Sequence, residues 1–321
     1  MGRTFTSAAR DATAPARENA STQAAGPADT PAAAMKVGDL IADRFELERL
    51  AERGGMAVVW RARDRRSGAP TAVKFLRDRM GESELDRLAR EAQVLAGIVH
   101  PGVVRYVAHG ATPGGVAFLA MEWLEGETLA QRLARGPIGV GETLRVLRTV
   151  GDALASVHRH GIVHRDLKPQ NLVAEEGDLS RLKLIDFGIA RWDEKLYAMT
   201  RTGIVVGTMG YMAPEQARGE RDLDARVDIF ALGCVAYECI VGRPPFAAAS
   251  SVAMPGCLGL EAAPRVSETS PDIPDELDDL IAAMLARDPE KRVADGSALS
   301  SKLAAFDAAT PRARPARGRR R

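Results

Sequence analysis

Three properties that are scarce in this sequence narrow its class before any motif is considered. It has three cysteines, Cys234, Cys239 and Cys257, whose spacing fits neither a metal site nor a redox pair, so we interpret them as small core residues in a reducing compartment. The formal net charge is only +1, which excludes a global field that favours nucleic acid or an anionic membrane. The sequence has neither a secretory signal nor an apolar run of about 18 residues, so we expect a cytoplasmic protein without a transmembrane segment.

The two ends of the chain differ in composition from its middle. Residues 1–38 are rich in Ala, Thr, Pro and Arg with few large apolar side chains, which predicts a disordered leader. Residues 307–321 predict a basic, disordered tail, which is either simply solvated or a docking site for an acidic partner or nucleic acid. The tail has six arginines in its last ten residues: Arg312, Arg314, Arg317, Arg319, Arg320 and Arg321.

The sequence pattern in the middle of the chain changes from strand-like to helical at about residue 125. Between Phe45 and about Trp123 strand-like segments dominate, namely "FELERL", "AVVWRAR", "PTAVKFL", "VVRYVAHG" and "GVAFLAMEW", and one helical stretch, "ESELDRLAREAQVLAGI", interrupts them. The later part is mainly helical, with two short strand-like pieces, "NLVAEE" and "RLKLIDFG". We therefore predict an α+β domain at 39–306, with a small β-rich lobe (about 44–121), a larger helical lobe (about 125–306) and a ligand cleft between them.

The segment "HRDLKPQN", His164 to Asn171, has the residue types that phosphoryl transfer needs. Asp166 is a carboxylate that can orient a hydroxyl and accept its proton, and Lys168 is a cation that can stabilise charge on the moving phosphoryl group. Asn171 can supply a neutral oxygen to Mg²⁺. Fifteen residues later Asp186 opens "DFG", directly after the apolar segment "LKLI".

On these ordered motifs the sequence resembles the eukaryotic-like (bacterial Hanks-type) serine/threonine protein kinases over roughly residues 44–306. "TAVK" matches the strand-borne lysine motif of that family, and "MAPE" matches the end of its activation segment. The resemblance implies a bilobal protein-kinase-like fold, ATP and Mg²⁺ as cofactors, and protein substrates. It assigns Lys74 to the α- and β-phosphates, and Asp186 together with Asn171 to the metal.

Glu91 is the expected partner of Lys74. In "LDRLAREAQVL" it lies three residues after Leu88 and four before Leu95, which places it on the inward stripe of a helix. An acid on a buried stripe needs a cation, which Lys74 on an adjacent strand can supply. The alternative is that Glu91 faces solvent at an irregular edge of the helix.

The stretch "LAERGGMAVVW", Leu50 to Trp60, departs from the G-x-G-x-x-G-x-V phosphate loop of the family because Glu52 and Ala57 stand where two glycines are expected. We expect Glu52 to turn toward solvent and to weaken ATP binding without abolishing it. The resemblance implies a larger set of nucleotide-binding positions: Ala51, Glu52, Gly54 and Gly55 in the loop, Val59, Ala72 and Val173 around the adenine, Met121 at the back pocket, and Glu122 and Leu124 as backbone contacts.

The resemblance also assigns substrate and supporting positions. Lys168 and Thr208 indicate a Ser/Thr-directed enzyme, and Arg165 is expected to dock an activation loop phosphorylated at Thr200 or Thr202. Three further expectations concern support of the site: Asp228 holds the catalytic loop, Arg292 pairs with Glu215, and His164 and Phe187 pack rather than react.

Two other functions stay open on the sequence. A pseudokinase would bind nucleotide as a scaffold without phosphoryl transfer, but Lys74, Asp166, Asn171 and Asp186 are all present. A small-molecule phosphotransferase of related fold should lack the segment "GT…YMAPE", which this sequence has.

Overall fold

The structure is a computed structural model, and it describes residues 35–54, 57–79, 81–187, 209–220, 222–246 and 263–309. The first lobe is an antiparallel six-stranded sheet with one long helix beside it. Helix α1 (Glu82–Ala96) follows the fourth strand and packs against the fifth. In the sheet order β1-β2-β3-β4-β6-β5 the strands are β1 (Leu40–Ile41), β2 (Phe45–Arg53), β3 (Ala57–Asp64), β4 (Pro70–Arg79), β6 (Val116–Glu122) and β5 (Tyr106–Ala111).

Alternation along these strands separates the core of the first lobe from the cleft. Val58 and Trp60 of β3 and Val73 and Phe75 of β4 are buried in one apolar cluster. Because side chains alternate between the faces of a strand, the residues between them point to the opposite face of the sheet. That opposite face is only partly covered by protein, and it forms the roof of the cleft.

The second lobe is built from helices around one apolar helix. This is α5 (Arg226–Val241), which is buried along almost its whole length and is therefore the centre of the lobe. The lobe also contains a small sheet of three strands. The elements of this lobe are β7 (Gly126–Thr128), α2 (Leu129–Leu133), α3 (Val140–Arg159), β8 (Leu172–Glu175), β9 (Leu182–Leu184), α4 (Pro214–Ala217), α5, α6 (Asp275–Met284) and α7 (Gly296–Ala309).

Among the described residues, the backbone connects the lobes at two places. One is the hinge, which we define as residues 122–125, between β6 and β7. The other is a short backbone link formed before β5: Leu184 N–H donates to Gly102 O at 2.9 Å, and Val104 N–H donates to Leu184 O at 3.0 Å. Val103 and Leu184 form a parallel bridge there, so a segment that leads into the first sheet is hydrogen-bonded to β9.

The described elements confirm the two-lobed α+β architecture expected from the sequence, including all five strands of the first lobe and its helix. The short elements β1, β7 and α2 were not predicted, since two to five residues carry too little periodicity. Cys234 and Cys239 are buried free thiols, as expected, and burial raises the pKa of both. Cys257 and residues 1–34 and 310–321 lie outside the described residues. Within the described ranges, no helix has the length and apolarity needed to cross a bilayer.

Candidate active site

The loop between α3 and β8 brings three polar side chains into contact. Lys168 Nζ lies 3.1 Å from Asp166 Oδ2. Asn171 Nδ2 donates to the carbonyl oxygen of Asp166 at 2.7 Å and to Asp166 Oδ2 at 3.2 Å. A 3-10 turn at Pro169–Asn171 produces this approach, and it places the Asn171 amide nitrogen against Asp166. The amide oxygen of Asn171 therefore lies on the side away from Asp166.

Asp228 holds this loop from the first turn of α5, which confirms the role expected for it. Its Oδ2 accepts the His164 N–H at 2.7 Å, and its Oδ1 accepts the Arg165 N–H at 2.8 Å. The side chain is fully buried, and burial alone would raise the pKa of the carboxyl. Hydrogen bonds from His158 and from the His164 backbone outweigh burial and hold the pKa of Asp228 below its usual value, so the loop is fixed by a carboxylate.

His158 connects Asp228 to the last helix. His158 Nε2 lies 3.0 Å from Asp228 Oδ2, and the Gly296 N–H at the start of α7 donates to His158 Nδ1 at 3.2 Å. A ring nitrogen that accepts a hydrogen bond has no proton, so the ring hydrogen is on Nε2 and is donated to Asp228. A Cβ on Gly296 would lie 2.2 Å from the backbone nitrogen of Ala155, so only glycine permits this approach.

His164 and Phe187 pack against each other, as expected, with ring centroids 4.8 Å apart. His164 is fully buried and its Nε2 lies 2.9 Å from Ile185 O, so it is a support and not an accessible acid or base. Two residues next to this pair have left-handed backbones, Arg165 with φ 64° and Asp186 with φ 58°. Such conformations are uncommon for residues other than glycine and cluster at functional sites.

Asp186 faces Lys74 across the cleft, with 2.8 Å between Lys74 Nζ and Asp186 Oδ1. Both side chains are partly exposed, at 18% and 29%. Helix α1 buries Leu88 and Leu95, the two residues that define its inward stripe, and Glu91 between them is half-buried. The Lys74–Glu91 pair stays a prediction.

The cleft face of the first sheet collects the residues assigned to the adenine. Val59 pairs with Lys74, and Ala72 pairs with Met121, so these four side chains share one face. Val173 lies on β8 of the other lobe and is 9% exposed. Behind Met121 is a small apolar cavity, which is lined by Leu95, Val104, Tyr106, Leu119, Met121 and Phe187.

The backbone N–H groups of the hinge differ in whether they already have a hydrogen-bond acceptor. The Glu122 N–H is used internally, since it donates to Arg105 O at 2.9 Å. The Leu124 N–H has no backbone acceptor among the described residues. A ligand in the cleft could therefore bond to the Leu124 N–H, whereas it could reach Glu122 only through its carbonyl oxygen.

In the glycine-rich stretch, Ala51 and Glu52 are exposed and Gly54 is half-buried, while Gly55 lies outside the described residues. Glu52 pairs with Val59 at a register shift in the β2–β3 ladder. The direction in which its side chain turns relative to the phosphates stays a prediction.

The described residues after the activation loop support the catalytic loop. Gln216 Nε2 donates to Arg165 O at 3.1 Å. Arg292 and Glu215 form a buried bidentate pair, with distances of 2.5 and 2.9 Å, which confirms their expected pairing. The remaining sequence predictions in this region, Thr200, Thr202 and Thr208, fall outside the described residues.

Three contributors were not identified from the sequence: His158, Gln216 and Gly296. His158 makes no ligand spacing with the other histidines, and its partner Gly296 lies 138 positions away. Gln216 follows the recognisable "MAPE" directly, and its Oε1 accepts the Ala213 N–H at 3.1 Å at the start of α4. Because Ala213 has no side-chain acceptor, the sequence has no capping-box pattern that could have identified Gln216.

This arrangement defines the class of protein, because residues 45–303 match the protein kinase domain family. The chain belongs to the protein kinase family. Among solved structures it is similar to that of Rad53 residues 1–466 in complex with AMP-PNP, with 27% identity and a TM-score of 0.66, covering 81% of this chain and 65% of that one.

Curated relatives are bacterial serine/threonine-protein kinases. The DNA damage-responsive serine/threonine-protein kinase RqkA of Deinococcus radiodurans is 37% identical over 266 residues, which cover 82% of this chain and 39% of the relative. Serine/threonine-protein kinase PknB of Mycolicibacterium smegmatis is 37% identical over 270 residues, covering 82% and 43%. Serine/threonine-protein kinase pkn3 of Myxococcus xanthus is 35% identical over 288 residues, covering 87% and 52%. The chain thus spans between about two fifths and about half of the length of these relatives.

Proposed function

We propose that this chain transfers the γ-phosphoryl group of ATP to serine and threonine hydroxyls of proteins, itself included. The observation that carries this proposal is the convergence of Asp166, Lys168, Asn171, Asp186 and Lys74 at one cleft. The naming of the bacterial relatives as serine/threonine-protein kinases supports the choice of acceptor.

The residues at the cleft fit a magnesium site. Asp186 offers a carboxylate and Asn171 an amide oxygen directed away from Asp166, and Mg²⁺ prefers such oxygen ligands. When bound, Mg²⁺ would neutralise charge on the phosphates of ATP. The left-handed backbone of Asp186 sets the direction of its carboxylate before any ligand arrives.

Asp166 would orient the substrate hydroxyl and accept its proton as the oxygen attacks the γ-phosphorus. The bond to the β,γ-bridging oxygen breaks, and the electron pair leaves with ADP. Lys168, already within 3.1 Å of Asp166, would stabilise the negative charge on the transferred group. The two bonds from Asn171 to Asp166 keep the carboxylate in position for both events.

The nucleotide would lie with its adenine between Val59 and Ala72 above and Val173 below. Its edge would bond to the Glu122 carbonyl and the Leu124 N–H. Met121 would limit access to the apolar cavity behind it. Lys74 would contact the α- and β-phosphates and pair with Glu91. Ala51, Glu52, Gly54 and Gly55 would lie over the phosphates.

Regulation by phosphorylation is part of the proposal. A phosphate on Thr200 or Thr202 adds about −1.5 to −2 charge and would dock on Arg165, with Thr208 lining the substrate side of the catalytic loop. Phosphosite mapping after incubation with Mg·ATP should identify these threonines. Unmodified threonines, together with full activity of the Thr200→Ala/Thr202→Ala variant, would contradict the regulatory part alone.

We also propose a cytoplasmic location, which two buried, unbridged thiols support. An acidic partner for the arginine-rich tail is proposed on its charge alone.

Transfer of labelled γ-phosphate from Mg·ATP to the protein itself and to a generic basic protein tests the central proposal. Asp166→Asn should lower the rate about 10²–10⁴-fold, because it removes the proton acceptor. Asp186→Asn serves as a second inactive reference. A wild type that is no faster than these variants would favour the pseudokinase instead.

A further inference from the structure

A single carboxylate in the hinge is contacted from both lobes. Glu122 Oε1 accepts the backbone N–H of Arg105 at 2.9 Å, next to β5 of the first lobe. The same oxygen lies 2.6 Å from Lys183 Nζ, which extends from β9 of the second lobe. The two side chains are only 19% and 14% exposed, so solvent screens this pair less than a surface ion pair.

Glu122 and Arg105 are joined by two hydrogen bonds, one of which is the first of these contacts. The backbone N–H of Glu122 donates to Arg105 O, while the Glu122 carboxylate accepts the Arg105 N–H. Backbone and side chain of the hinge residue are therefore fixed to the same point of the first lobe. The short ammonium–carboxylate contact from Lys183 connects this fixed unit to β9, and such charge-assisted bonds are the stronger kind.

Lys183 also lies beside residues that form the second-lobe side of the cleft. It pairs with Val173 in the β8–β9 ladder, and it precedes Asp186 by three residues. Its second acidic neighbour, Glu175, lies 3.8 Å away at the far end of β8. The Lys183–Glu122 contact thus connects β9, which leads to Asp186, with the hinge, which is proposed to face the edge of the adenine.

We propose that Lys183 is a positioning residue for nucleotide binding, which holds the hinge at a fixed distance from β9 through Glu122. This rests on the proposed placement of the adenine at the hinge. Because the hinge is held in place before the nucleotide arrives, binding loses less conformational entropy. Lys183 touches neither the phosphates nor the substrate hydroxyl, so its effect is on affinity and not on the chemical step.

Steady-state kinetics with varied ATP test the proposal. Lys183→Met, which keeps the length and loses the charge, should raise the KM for ATP about fivefold and leave kcat within about twofold. Lys183→Arg should restore the KM to within about twofold of wild type. In the Glu122→Gln background, Lys183→Met should add less than about twofold, since the two residues act through one contact. Arg181→Met is the matched control, because Arg181 on the adjacent turn pairs with Glu175 and Glu176 at the surface.

Titration calorimetry with ADP provides the same comparison without catalysis. An ADP affinity that is weakened about fivefold in Lys183→Met supports the proposal even if the wild type transfers no phosphate, and so separates it from the proposed function. An unchanged KM and ADP affinity, with only a lower melting temperature, would show that the contact is merely structural. A lower KM or a higher kcat in Lys183→Met would also overturn the proposal, because it would show that the contact restrains the lobes and does not aid nucleotide binding.

Discussion

Lys74 Nζ and Asp186 Oδ1 lie 2.8 Å apart and join the first lobe to the end of β9. Lys74 is also proposed to bind the phosphates of ATP, and Asp186 is proposed to bind Mg²⁺. The pair therefore keeps a cation and an anion close together in the cleft. On nucleotide binding, contacts with the phosphates and with Mg²⁺ must replace this ion pair.

Asp186→Asn should remove the magnesium-dependent part of nucleotide binding. In the wild type, ADP with Mg²⁺ should raise the melting temperature more than ADP alone, because the protein supplies ligands to the metal. In Asp186→Asn the two conditions should give the same shift. Differential scanning fluorimetry measures this directly. A variant that keeps the full magnesium effect would show that Asp186 is not a metal ligand.

Arg292→Met should destabilise the second lobe strongly. The substitution leaves the buried Glu215 carboxylate without its bidentate partner, and breaking such a pair from one side costs about 3–5 kcal/mol of unfolding free energy. Arg226→Met is the control, since Arg226 pairs with the exposed Glu290 and should cost less than about 1 kcal/mol. Urea unfolding of both variants gives the comparison. Equal losses would refute the argument from burial.

Gly296→Ala should lower both stability and kcat. The added methyl group would lie 2.2 Å from the backbone nitrogen of Ala155, so α7 must move away from α3 and from His158. We expect a loss of about 1–3 kcal/mol or more, and a fall in kcat of about tenfold or more as Asp228 and the catalytic loop shift.

The matched control is Gly141→Ala in α3, where nothing lies within 4 Å of the added methyl group. There the same change should stabilise by about 0.4–1 kcal/mol, because it restricts the unfolded chain. Thermal unfolding and initial rates under saturating ATP give both quantities. A Gly296→Ala variant with normal stability and kcat would mean that the approach of α7 to α3 is dispensable.

Asp64 should give the first lobe a characteristic acid sensitivity. The Arg44 guanidinium bonds both carboxylate oxygens at 2.9 and 2.8 Å and, with the Arg66 N–H and the Ser67 hydroxyl, holds the pKa of Asp64 well below its usual range. The unfolded chain therefore binds this proton more readily than the folded one. The stabilisation is complete above about pH 5 and is lost progressively as the pH falls toward 1.

Asp64→Asn tests this at several pH values. At pH 7 the variant should be less stable by about 1–3 kcal/mol, because it loses charge-assisted bonds at a buried site. Between pH 5 and pH 3.5 the difference from wild type should shrink, as the wild type loses the same contribution. Urea unfolding at the three pH values measures it. A difference that stays constant or grows toward acid pH would contradict the linkage.

Glu52→Gly should lower the KM for ATP by about two- to fivefold, the size typical of an exposed charge interaction. Glu52 is exposed and opposite Val59, so its negative charge stands near the path of an anionic ligand. Glu52→Gln separates charge from backbone freedom, and it should give most of the effect if charge dominates. Steady-state kinetics at varied ATP decide the matter, and an unchanged or higher KM in both variants would show that Glu52 is harmless or useful there.

The catalytic loop was predictable because its members are close in sequence. Asp166, Lys168 and Asn171 fall within six residues, so the spacing alone places them on one loop, and the structure puts them in contact. Ala72 and Lys74, which the family resemblance assigned to the nucleotide, share a side of β4 because side chains alternate along a strand.

Contacts between distant elements could not be predicted from local pattern. His158 appears at the polar end of a helix, and only the packing of α3 on α7 and α5 makes it a link between Gly296 and Asp228. Lys183 lies in the short strand-like segment "RLKLIDFG", and nothing near it in the sequence indicates its contact with a carboxylate 61 positions earlier. The periodicity of α1 predicted that Glu91 lies on its inward stripe, but its pairing depends on distances of a few ångströms between α1 and β4.

The backbone link between Leu184 and residues 102–104 has a consequence for how the lobes can move. A rigid body that is attached at one point can turn in any direction, whereas one attached at two points can turn only about the line through them. The hinge and this link are two such points. We therefore expect the first lobe to open mainly by rotation about the line through these two points, which would move Lys74 away from Asp186.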